Sequence, residues 1–448
     1  MVYPHNNSLY NYLNNNDNYG IPIAAPHGRD VEMTEASLVN ERPNKLRSKR
    51  ILHYRSMEPE IIEWNMKKEK RLDFTSILPF ELCLQIISLL DFNTLLSVPL
   101  VSRRWASLFY QDELWKIKMV ENNWRLKIPT NVTLTEEEQS WYYWYKQRHQ
   151  LETRWNTGKV ASHYLMGHKD GVYCIQFDDD KIITGSRDKT IKIWDPQLYQ
   201  CIYTLEGHAG SVLCLRYDDE IIVSGSSDTT VIVWDMRTKR IRARLHGHTA
   251  GVSDVAFDDR YIISSSKDTS IRVWDRKTFQ PIRMIVGHRG AVNSIQIHGN
   301  YLVSASNDTL IKLWEISSGK MIREFVGHHH GLACVQFDGR RIVSGSSDHT
   351  IRVWDAETGL CTMIFAGHSG LVRNLRLLGN RVVSASYDQT VRVWDINSGA
   401  CLLNFQSGHS SWIFDVHFDR KKIISTSQDR KILIMDFAHE LNTKCLDL

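Results

Sequence analysis

Seven histidines, each preceded by a glycine, recur at a nearly fixed spacing in the second part of the chain. The period is 40 residues, with one extra residue before the last position, and the histidines are His168, His208, His248, His288, His328, His368 and His409. A hydroxyl residue, an aspartate and usually a tryptophan follow each histidine; in the second repeat the set is His208, Ser224, Asp228 and Trp234. The histidine can bridge the aspartate and the hydroxyl, and the hydroxyl can meet the indole. Because buried polar groups must satisfy one another, the set predicts structural histidines.

Each of these histidines is followed about 26 residues later by Trp-Asp or a near match. The pairs are Trp194-Asp195, Trp234-Asp235, Trp274-Asp275, Trp314-Glu315, Trp354-Asp355, Trp394-Asp395 and Met435-Asp436. Self-similarity of this period is typical of WD repeats, in which one repeat forms one blade of a β-propeller. The sequence therefore predicts an all-β, seven-bladed WD-repeat propeller, preceded by a small all-α region and a helical linker.

Apolar and β-branched runs separated by turns predict four strands in each repeat. In the second repeat the predicted strands are residues 211–217, 221–224, 231–234 and, near the end, 242–245. Residues 159–166 precede the first Gly-His pair, and the last repeat ends near Phe437 without a full outer strand. We therefore expect residues 159–166 to complete the seventh blade, which closes the ring and leaves no exposed strand edge.

Two positions in each repeat are expected to face the narrow top of the propeller near its channel. The first lies five residues after the histidine, and its occupants are Tyr173, Leu213, Ser253, Asn293, Ala333, Arg373 and Phe414. The second precedes the turn aspartate, and its occupants are Arg187, Ser227, Lys267, Asn307, Ser347, Tyr387 and Gln428. Structural constraint would keep these positions alike. Their varied chemistry therefore indicates a binding role.

Three of these variable residues, Arg187, Lys267 and Arg373, are cationic. The polar residues that accompany them are Tyr173, Ser211, Ser227, Asn293 and Tyr387. Cations around a central channel suit a phosphorylated peptide, because phosphoserine carries close to two negative charges and arginine presents a matching fork. The alternative interpretation is a solvated charged face without a ligand.

Three consecutive histidines, His328, His329 and His330, are compatible with a metal site. The repeat spacing favours the alternative, in which one structural histidine is followed by two loop residues. We expect no metal and no cofactor. The sequence also contains no G-x-S-x-G, P-loop or HExxH motif, so a non-catalytic protein is predicted.

The composition limits the classes of function. The chain has 448 residues, 42% of them hydrophobic, and its formal net charge of +4 is too small to indicate nucleic-acid binding. The apolar runs are too short for a membrane span, and the N-terminus has no signal-peptide pattern. The eight cysteines include no CxxC pair. Cys174, Cys214 and Cys334 recur near one position of an apolar strand, as expected of buried thiols in a reducing compartment.

The N-terminal residues 1–56 are rich in asparagine and are predicted to be disordered. Within them, residues 45–50 (KLRSKR) form a basic run, which is interpreted either as a nuclear-import signal or as a solvated linker. The expected location is the cytoplasm and the nucleus. Residues 57–70, with Ile61, Ile62 and Trp64, are predicted to form a short helix.

A helical period continues through residues 71–124 and predicts three short helices. The first begins behind Pro79, Asp91 or Asn93 can cap the second, and the third contains Trp105. Residues 133–155 are predicted as one long helix that acts as a stiff spacer, because Thr135 and Glu138 form a capping-box pattern. The predicted domains are residues 57–124, a linker at 125–157, the propeller at 158–437 and a C-terminal tail at 438–448.

Residues 77–115 resemble an F-box, above all in ILPFEL at 77–82 and LVSRRW at 100–105. The resemblance implies binding to a small adaptor of the Skp type, and through it to a cullin and a RING protein. The positions that match the adaptor-binding residues of the family are Leu78, Pro79, Leu82, Ile86, Leu89, Val101 and Trp105. A homodimer formed through the segment before the F-box is a further expectation of the resemblance.

Within F-box/WD-repeat proteins, the chain is most similar to the β-transducin-repeat-containing subfamily, through GVYCIQFDD (171–179), GSVLCLRYDDE (210–220), GHRGAVN (287–293) and ILIMDF (432–437). That subfamily binds a doubly phosphorylated Asp-Ser-Gly-x-x-Ser degron on the propeller top. The binding residues that the resemblance implies are Tyr173, Arg187, Ser211, Ser227, Asn293, Gly331, Ala333, Leu371 and Arg373. The predicted site also includes Lys267 and Tyr387, from the second variable position, and His330, where the chain departs from the subfamily. At His330 the subfamily has an arginine, and a histidine is only partly charged near neutral pH.

The sequence therefore predicts the substrate-recognition subunit of an SCF (Skp–cullin–F-box) ubiquitin ligase, which binds phosphorylated proteins and promotes their ubiquitination and proteasomal degradation. One alternative is a Cdc4-like receptor for phosphothreonine-Pro degrons. Another is a WD-repeat scaffold or transcriptional co-regulator without a ligase role. Membrane and nucleic acid are not expected partners.

Overall fold

The computed structural model describes residues 73–128, 133–406 and 408–447. The predicted disordered region 1–56 and the predicted helix 57–70 lie outside the described residues. Five α-helices precede the strands: α1 (Phe80–Ser88), α2 (Phe92–Leu95), α3 (Arg103–Phe109), α4 (Asp112–Glu121) and α5 (Trp141–Thr157). None of the helices in the described ranges is long and apolar enough to span a membrane.

The first four helices form a small bundle around one apolar core. Local caps set their starts: the Asp91 side chain accepts from two amides at the start of α2, and Ser102 accepts from the amide of Trp105 in α3. The core contains Cys83, Leu84, Ile87, Leu95, Val98, Leu108, Phe109, Leu114, Trp115 and Met119, and Tyr145 of α5 packs into it. Helix α4 was missed by the sequence analysis, because charged residues alternate with its apolar ones and blur the helical period.

The strands form seven four-stranded antiparallel sheets, and the predicted seven-bladed propeller is confirmed. Blades 1 to 3 are β2 (Val172–Phe177), β3 (Ile182–Ser186), β4 (Thr190–Trp194), β5 (Cys201–Glu206); β6 (Val212–Tyr217), β7 (Ile221–Ser226), β8 (Val231–Asp235), β9 (Ile241–Leu245); β10 (Val252–Phe257), β11 (Tyr261–Ser266), β12 (Ile271–Asp275), β13 (Pro281–Ile285). Blades 4 to 6 are β14 (Val292–His298), β15 (Tyr301–Ser306), β16 (Ile311–Glu315), β17 (Met321–Phe325); β18 (Leu332–Phe337), β19 (Arg341–Ser346), β20 (Ile351–Asp355), β21 (Cys361–Phe365); β22 (Val372–Leu378), β23 (Arg381–Ser386), β24 (Val391–Asp395), β25 (Cys401–Phe405).

Blade 7 joins the two ends of the propeller sequence. It contains β26 (Ile413–Phe418), β27 (Lys422–Ser427) and β28 (Ile432–Asp436), and its fourth strand is β1 (Ala161–Leu165). Strand β1 pairs antiparallel with β28, from Ala161 opposite Asp436 to Leu165 opposite Ile432. The predicted closure of the ring by residues 159–166 is therefore confirmed.

The predicted polar chain is present in every blade. In blade 2 the His208 Nδ1 lies 3.0 Å from the Asp228 carboxylate and its Nε2 lies 2.9 Å from the Ser224 hydroxyl, which accepts from the Trp234 indole at 2.8 Å. An ionised carboxylate can only accept, so Nδ1 carries the proton and Nε2 accepts from Ser224. Burial lowers the pKa of His208, which agrees with a neutral, structural imidazole. Blade 7 has Met435 where the other blades have tryptophan.

The linker helix starts later than predicted. Thr135 and Glu138 do form the predicted reciprocal pair, with the Thr135 amide donating to Glu138 at 2.9 Å, but they cap a single 3₁₀ turn at Glu137–Gln139. Helix α5 begins only at Trp141, whose amide donates to the Asp112 carboxylate of α4 at 3.0 Å. It ends at Thr157 and is capped by Gly158, which takes the left-handed conformation (φ +72°) that favours glycine. The prediction of one helix over residues 133–155 is therefore wrong at its start.

The second half of α5 docks on blade 7, at the end of the propeller where the inner strands finish. The Trp155 ring stacks on Phe437 with centroids 3.7 Å apart, and its Nε1 donates to the Arg420 carbonyl at 2.9 Å. Arg154 donates to the carbonyl of Phe437, and Glu152 pairs with Arg381 at 3.1 Å. The helix is thus fixed to the propeller by apolar, polar and ionic contacts.

The last residues of the described chain pack back on the linker. Cys445 and Leu446 are buried against Trp144, and Leu126 pairs with Leu446 in an antiparallel bridge. The Lys444 ammonium lies 2.7 Å from the Glu138 carboxylate, whose pKa is lowered mainly by this contact. The predicted tail therefore belongs to the structure that holds the linker in place.

Candidate functional site

The inner strands begin at one end of the propeller, here called the top face, and line a narrow central channel. All seven residues of the first variable position line one cavity there: Tyr173, Leu213, Ser253, Asn293, Ala333, Arg373 and Phe414. The sequence spacing therefore brings these side chains together around the channel mouth, as expected.

The second variable position lies on the same face, beside the loops that enter the inner strands. The Arg187 amide donates to the Gly171 carbonyl at 2.9 Å, and the Ser227 amide donates to Ser211 at 2.9 Å. The same backbone bond joins Lys267 to Gly251, Asn307 to Ala291, Ser347 to Gly331, Tyr387 to Leu371, and Gln428 to Trp412. Ser211, Gly331 and Leu371 thus lie next to the second variable position of their own blades.

Gly331 is required by a close approach rather than by its backbone conformation. A Cβ at this position would overlap the side chain of Asn307 in the neighbouring blade. Near Gly331, Ala333 is buried. The side chain of Asn293 is held in place because its Nδ2 donates to the Leu332 carbonyl at 2.7 Å. His330 is exposed, and its carbonyl accepts from the Ser346 hydroxyl at 3.0 Å. This side of the mouth is therefore held rigid, with His330 at its rim.

Aromatic rings form another side of the mouth. Tyr387 stacks on Trp412 with centroids 4.8 Å apart and planes 7° apart, and Phe414 lies 4.7 Å from Tyr173. Trp412 was missed as a site residue by the sequence analysis. Its signal was available, since it occupies the loop position that is equivalent to Gly171 and Leu371.

Arg373 is the central cation of the site. Burial raises the pKa of Tyr387 and of Tyr173, and the Arg373 guanidinium opposes both shifts. Loss of hydration lowers the pKa of Lys267, and repulsion from Arg373 adds to it, although the lysine side chain is exposed. In the described part of the chain Arg373 has no carboxylate partner. At the rim, Arg187 lies 3.6 Å from the Asp170 carboxylate.

The mouth therefore combines positive charge, hydroxyl donors and flat aromatic surface. Arginine and lysine attract oxyanions, and tyrosine and serine hydroxyls can donate to the same oxygens. Within the described residues, no three histidine, cysteine, aspartate or glutamate side chains are grouped as metal ligands. His328, the first of the three consecutive histidines, bonds Asp348 and Ser344 in the structural chain of its blade.

A second candidate surface lies on the helical region. Of the predicted adaptor-binding residues, Pro79, Leu82, Ile86, Leu89 and Val101 are exposed to solvent. Leu78 is half-buried against the helical core, and Trp105 packs edge-on against Phe74 and donates its indole N–H to Asp73 at 3.0 Å. Ile77 and Leu100, which were not predicted as adaptor-binding residues, are also apolar and exposed. Exposed apolar side chains of this number indicate a protein-binding surface.

Two family models match the chain over the regions described above. The F-box-like model matches residues 75–118. The model "WD domain, G-beta repeat" matches seven times, at residues 159–195, 199–235, 239–275, 279–315, 319–355, 359–395 and 399–436. The seven repeat matches together cover more than half of the chain.

Curated relatives share this combination. "F-box and WD repeat domain-containing 11-A" of Danio rerio is 39% identical over 168 residues, with a coverage of 31% of this chain and 30% of the relative. "Probable E3 ubiquitin ligase complex SCF subunit sconB" of Arthroderma otae is 30% identical over 164 residues (30% and 24%). "Cell division control protein 4" of Candida albicans is 32% identical over 151 residues (30% and 22%). The chain thus matches less than a third of the length of these relatives.

One solved structure is similar to this chain in fold. The computationally designed Ika8 protein superposes with a TM-score of 0.53 and 32% identity, over 60% of this chain and 85% of the designed one. Seven repeat matches, an F-box-like match ahead of them and relatives with both features agree with one another. The chain belongs to the F-box/WD-repeat proteins.

Proposed function

We propose that this chain is the substrate-recognition subunit of an SCF-type ubiquitin ligase complex. In this proposal the top face of the propeller binds a phosphorylated segment of the substrate, and the helical region binds a Skp-type adaptor that leads to a cullin and a RING protein. The observation that carries it is that Arg373 and Tyr173 line the channel mouth, with Arg187, Lys267 and Tyr387 close enough to interact with them electrostatically. The same protein exposes apolar residues on its F-box-like region.

The chemistry of the mouth suits a phosphoserine peptide with an adjacent acidic residue. Arg187 lies beside the backbone of Gly171, near Tyr173, and can bind one phosphate. Arg373, Lys267 and Tyr387 can bind a second negative group deeper at the centre. Stacked Tyr387 and Trp412 offer a flat wall for the peptide backbone. A doubly phosphorylated Asp-Ser-Gly-x-x-Ser motif supplies the matching set of charges.

The receptor contributes position rather than bond-breaking chemistry. Substrate held on the propeller and adaptor held on the helical bundle are connected through α5, whose two halves are packed into the two domains. A rigid connection raises the effective concentration of substrate lysines at the ubiquitin-charged enzyme. Action in the cytoplasm and the nucleus, followed by proteasomal degradation of the substrate, belongs to the same proposal.

His330 favours a second candidate, a receptor for a singly phosphorylated or phosphothreonine-Pro degron. An exposed histidine at the rim is a weaker phosphate ligand than the arginine that the resemblance implies there. The relative named cell division control protein 4 supports this alternative.

Binding to the top face is tested by fluorescence polarisation with a doubly phosphorylated Asp-Ser-Gly-x-x-Ser peptide, its singly phosphorylated form, a phosphothreonine-Pro peptide and an unphosphorylated peptide. Arg373→Ala should weaken binding of the preferred phosphopeptide by about 1.5–3 kcal/mol, the cost of a lost charged hydrogen bond. Arg341→Ala is the matched control, because Arg341 lies at the opposite end of an inner hairpin, paired with Asp338. Equal affinity of wild type and Arg373→Ala for every phosphopeptide would refute the site.

Adaptor binding is tested separately by co-purification with a Skp-type adaptor. Leu89→Asp places a charge at a side chain that is 82% exposed, and it should abolish the complex without unfolding the bundle. Val120→Asp in α4, where the valine is 74% exposed, is the matched control and should keep the complex. A wild-type chain that binds phosphopeptide but no adaptor would favour the scaffold alternative.

A further inference from the structure

A second ring of residues lies deeper in the channel than the mouth. It is formed by the fifth residue of each inner strand, and its members are Gln176, Arg216, Ala256, Gln296, Gln336, Arg376 and His417. Arg216 and Arg376 both line the same cavity as the residues of the mouth. They belong to blades 2 and 6. Two blades lie between these on one side of the ring, and three lie between them on the other side. The two guanidinium groups therefore approach the channel from opposite walls.

Neither guanidinium has a carboxylate in direct contact. Among the residues that the structure describes, the side chains of Arg216 and Arg376 form no ion pair and no hydrogen bond, and the Nε of Arg376 is fully buried without a partner. Burial lowers the pKa of Arg376 to about 10, and repulsion from Arg216 contributes to this shift. Two like charges in a confined channel repel each other strongly, because little water is present to screen them.

The nearest carboxylates are already used by the backbone. Asp415 accepts from the amides of Ile175 and Val416, each at 2.8 Å, and from the side chain of Asn374. Asp254 likewise accepts from the Val255 amide at 2.9 Å, the Ile295 amide at 3.0 Å and the Ser294 hydroxyl at 2.9 Å. These two aspartates lie in the ring between the mouth and the arginines. They attract Arg376 only over a longer distance.

We propose that the channel binds a small inorganic anion between Arg216 and Arg376, beneath the residues of the mouth. The cavity has a volume of about 40 Å³, which is room for roughly three water molecules or one compact anion. Each guanidinium offers five N–H donors, so an anion between the two walls can be bound from both sides. Chloride and phosphate share this chemistry. The anion site shares this cavity with the mouth but uses a different pair of arginines, since the proposed peptide site uses Arg373 and Arg187.

The test compares thermal unfolding of the full chain in sodium gluconate, chloride or phosphate at equal ionic strength. A site specific for small anions should raise the unfolding midpoint in chloride or phosphate, saturably and by about 2 °C at ten times the dissociation constant. Chloride alone raising the midpoint identifies a halide site, and phosphate alone identifies an oxyanion site. An identical midpoint in all three salts would overturn the proposal.

Variants separate this site from the mouth. In Arg216→Gln/Arg376→Gln the anion effect should disappear, and the midpoint in gluconate should equal or exceed that of wild type because the repulsion is gone. Glutamine occupies this position in blades 1, 4 and 5, so the substitution is compatible with the fold. If the double variant does not fold, the two single variants are measured instead, and each should weaken the effect of the anion. Arg187→Gln removes an arginine of the mouth and should keep the full effect of chloride. Loss of the effect in Arg187→Gln, with the double variant unchanged, would assign the anion to the mouth and contradict the proposal.

Discussion

Replacing Trp155 with alanine should detach the helical region from the propeller. The side chain is 2% exposed, stacks on Phe437, and lies under the Arg381 guanidinium at 4.7 Å from the ring centroid. Its indole N–H also donates to the Arg420 carbonyl. Truncation of a buried tryptophan costs about 3–5 kcal/mol. The hydrogen bond accounts for about 1 kcal/mol of this cost, because on unfolding the indole N–H exchanges the carbonyl for water.

The lost stability should weaken the junction between α5 and the propeller, and not the core of the helical bundle or of the propeller. The core of the helical bundle contacts the first turns of α5, through Trp141, Tyr142 and Tyr145. Trp155, in contrast, belongs to the apolar cluster of blades 6 and 7. Wild type should therefore unfold with one coincident transition. Trp155→Ala should show the helices melting before the strands.

The assay is equilibrium unfolding in guanidinium chloride, followed by far-UV circular dichroism and by tryptophan fluorescence. Trp155→Phe is the control: it keeps an aromatic ring on Phe437 and loses only the indole N–H, so its cost should be near 1 kcal/mol. A loss below about 1 kcal/mol in Trp155→Ala, with coincident transitions, would show that the rigid junction is held by other contacts.

Two further predictions concern buried polar groups of the propeller. Burial lowers the pKa of His417 well below its usual range, so only the unfolded chain binds a proton at this side chain below about pH 6.5. The stability of wild type relative to His417→Gln should therefore fall by about 1.4 kcal/mol per pH unit between pH 6 and 5. Urea unfolding that gives a constant difference in stability from pH 7 to 5 would contradict this. Ser224→Ala leaves the Trp234 indole and the His208 Nε2 without a hydrogen-bond partner and should lower the stability by about 2–4 kcal/mol. Ser224→Thr should be nearly neutral, because Thr184 makes the equivalent hydrogen bond in blade 1. Equal unfolding midpoints of the two variants would refute the hydrogen-bonded chain.

The parts of the fold that repeat could be read from the sequence. The His208, Ser224, Asp228 and Trp234 set was predictable because buried polar groups constrain one another, and seven copies remove the ambiguity of one. Closure by residues 159–166 was predictable for a related reason, since a missing outer strand at one end and a spare strand at the other have one simple solution.

The single-copy parts were harder, because long-range contacts decide them. The start of α5 is set by Asp112, which accepts from the Trp141 amide across 29 residues, while the local capping pair Thr135–Glu138 ends in one short turn. No local pattern contains that information. The burial of Cys445 against the linker is a contact of the same kind.

Part of the candidate site could be predicted from the sequence, and part depends on contacts between blades. Spacing alone placed Tyr173 and Arg373 at the channel mouth, because equivalent residues of a ring must meet at its centre. The stack of Tyr387 on Trp412 requires knowledge of how one blade leans on the next. The opposed Arg216 and Arg376 become visible only when the order of blades around the ring is known.

The closure of blade 7 also has a consequence for how the protein is made. Strand β1 leaves the ribosome before every other strand of the propeller, yet its partner β28 leaves after all of them. At ordinary rates of synthesis the delay is on the order of tens of seconds. During that time β1 is an unpaired edge attached to a finished helical bundle, and such edges invite wrong pairing. Newly made chains therefore carry this one unprotected strand edge until translation ends.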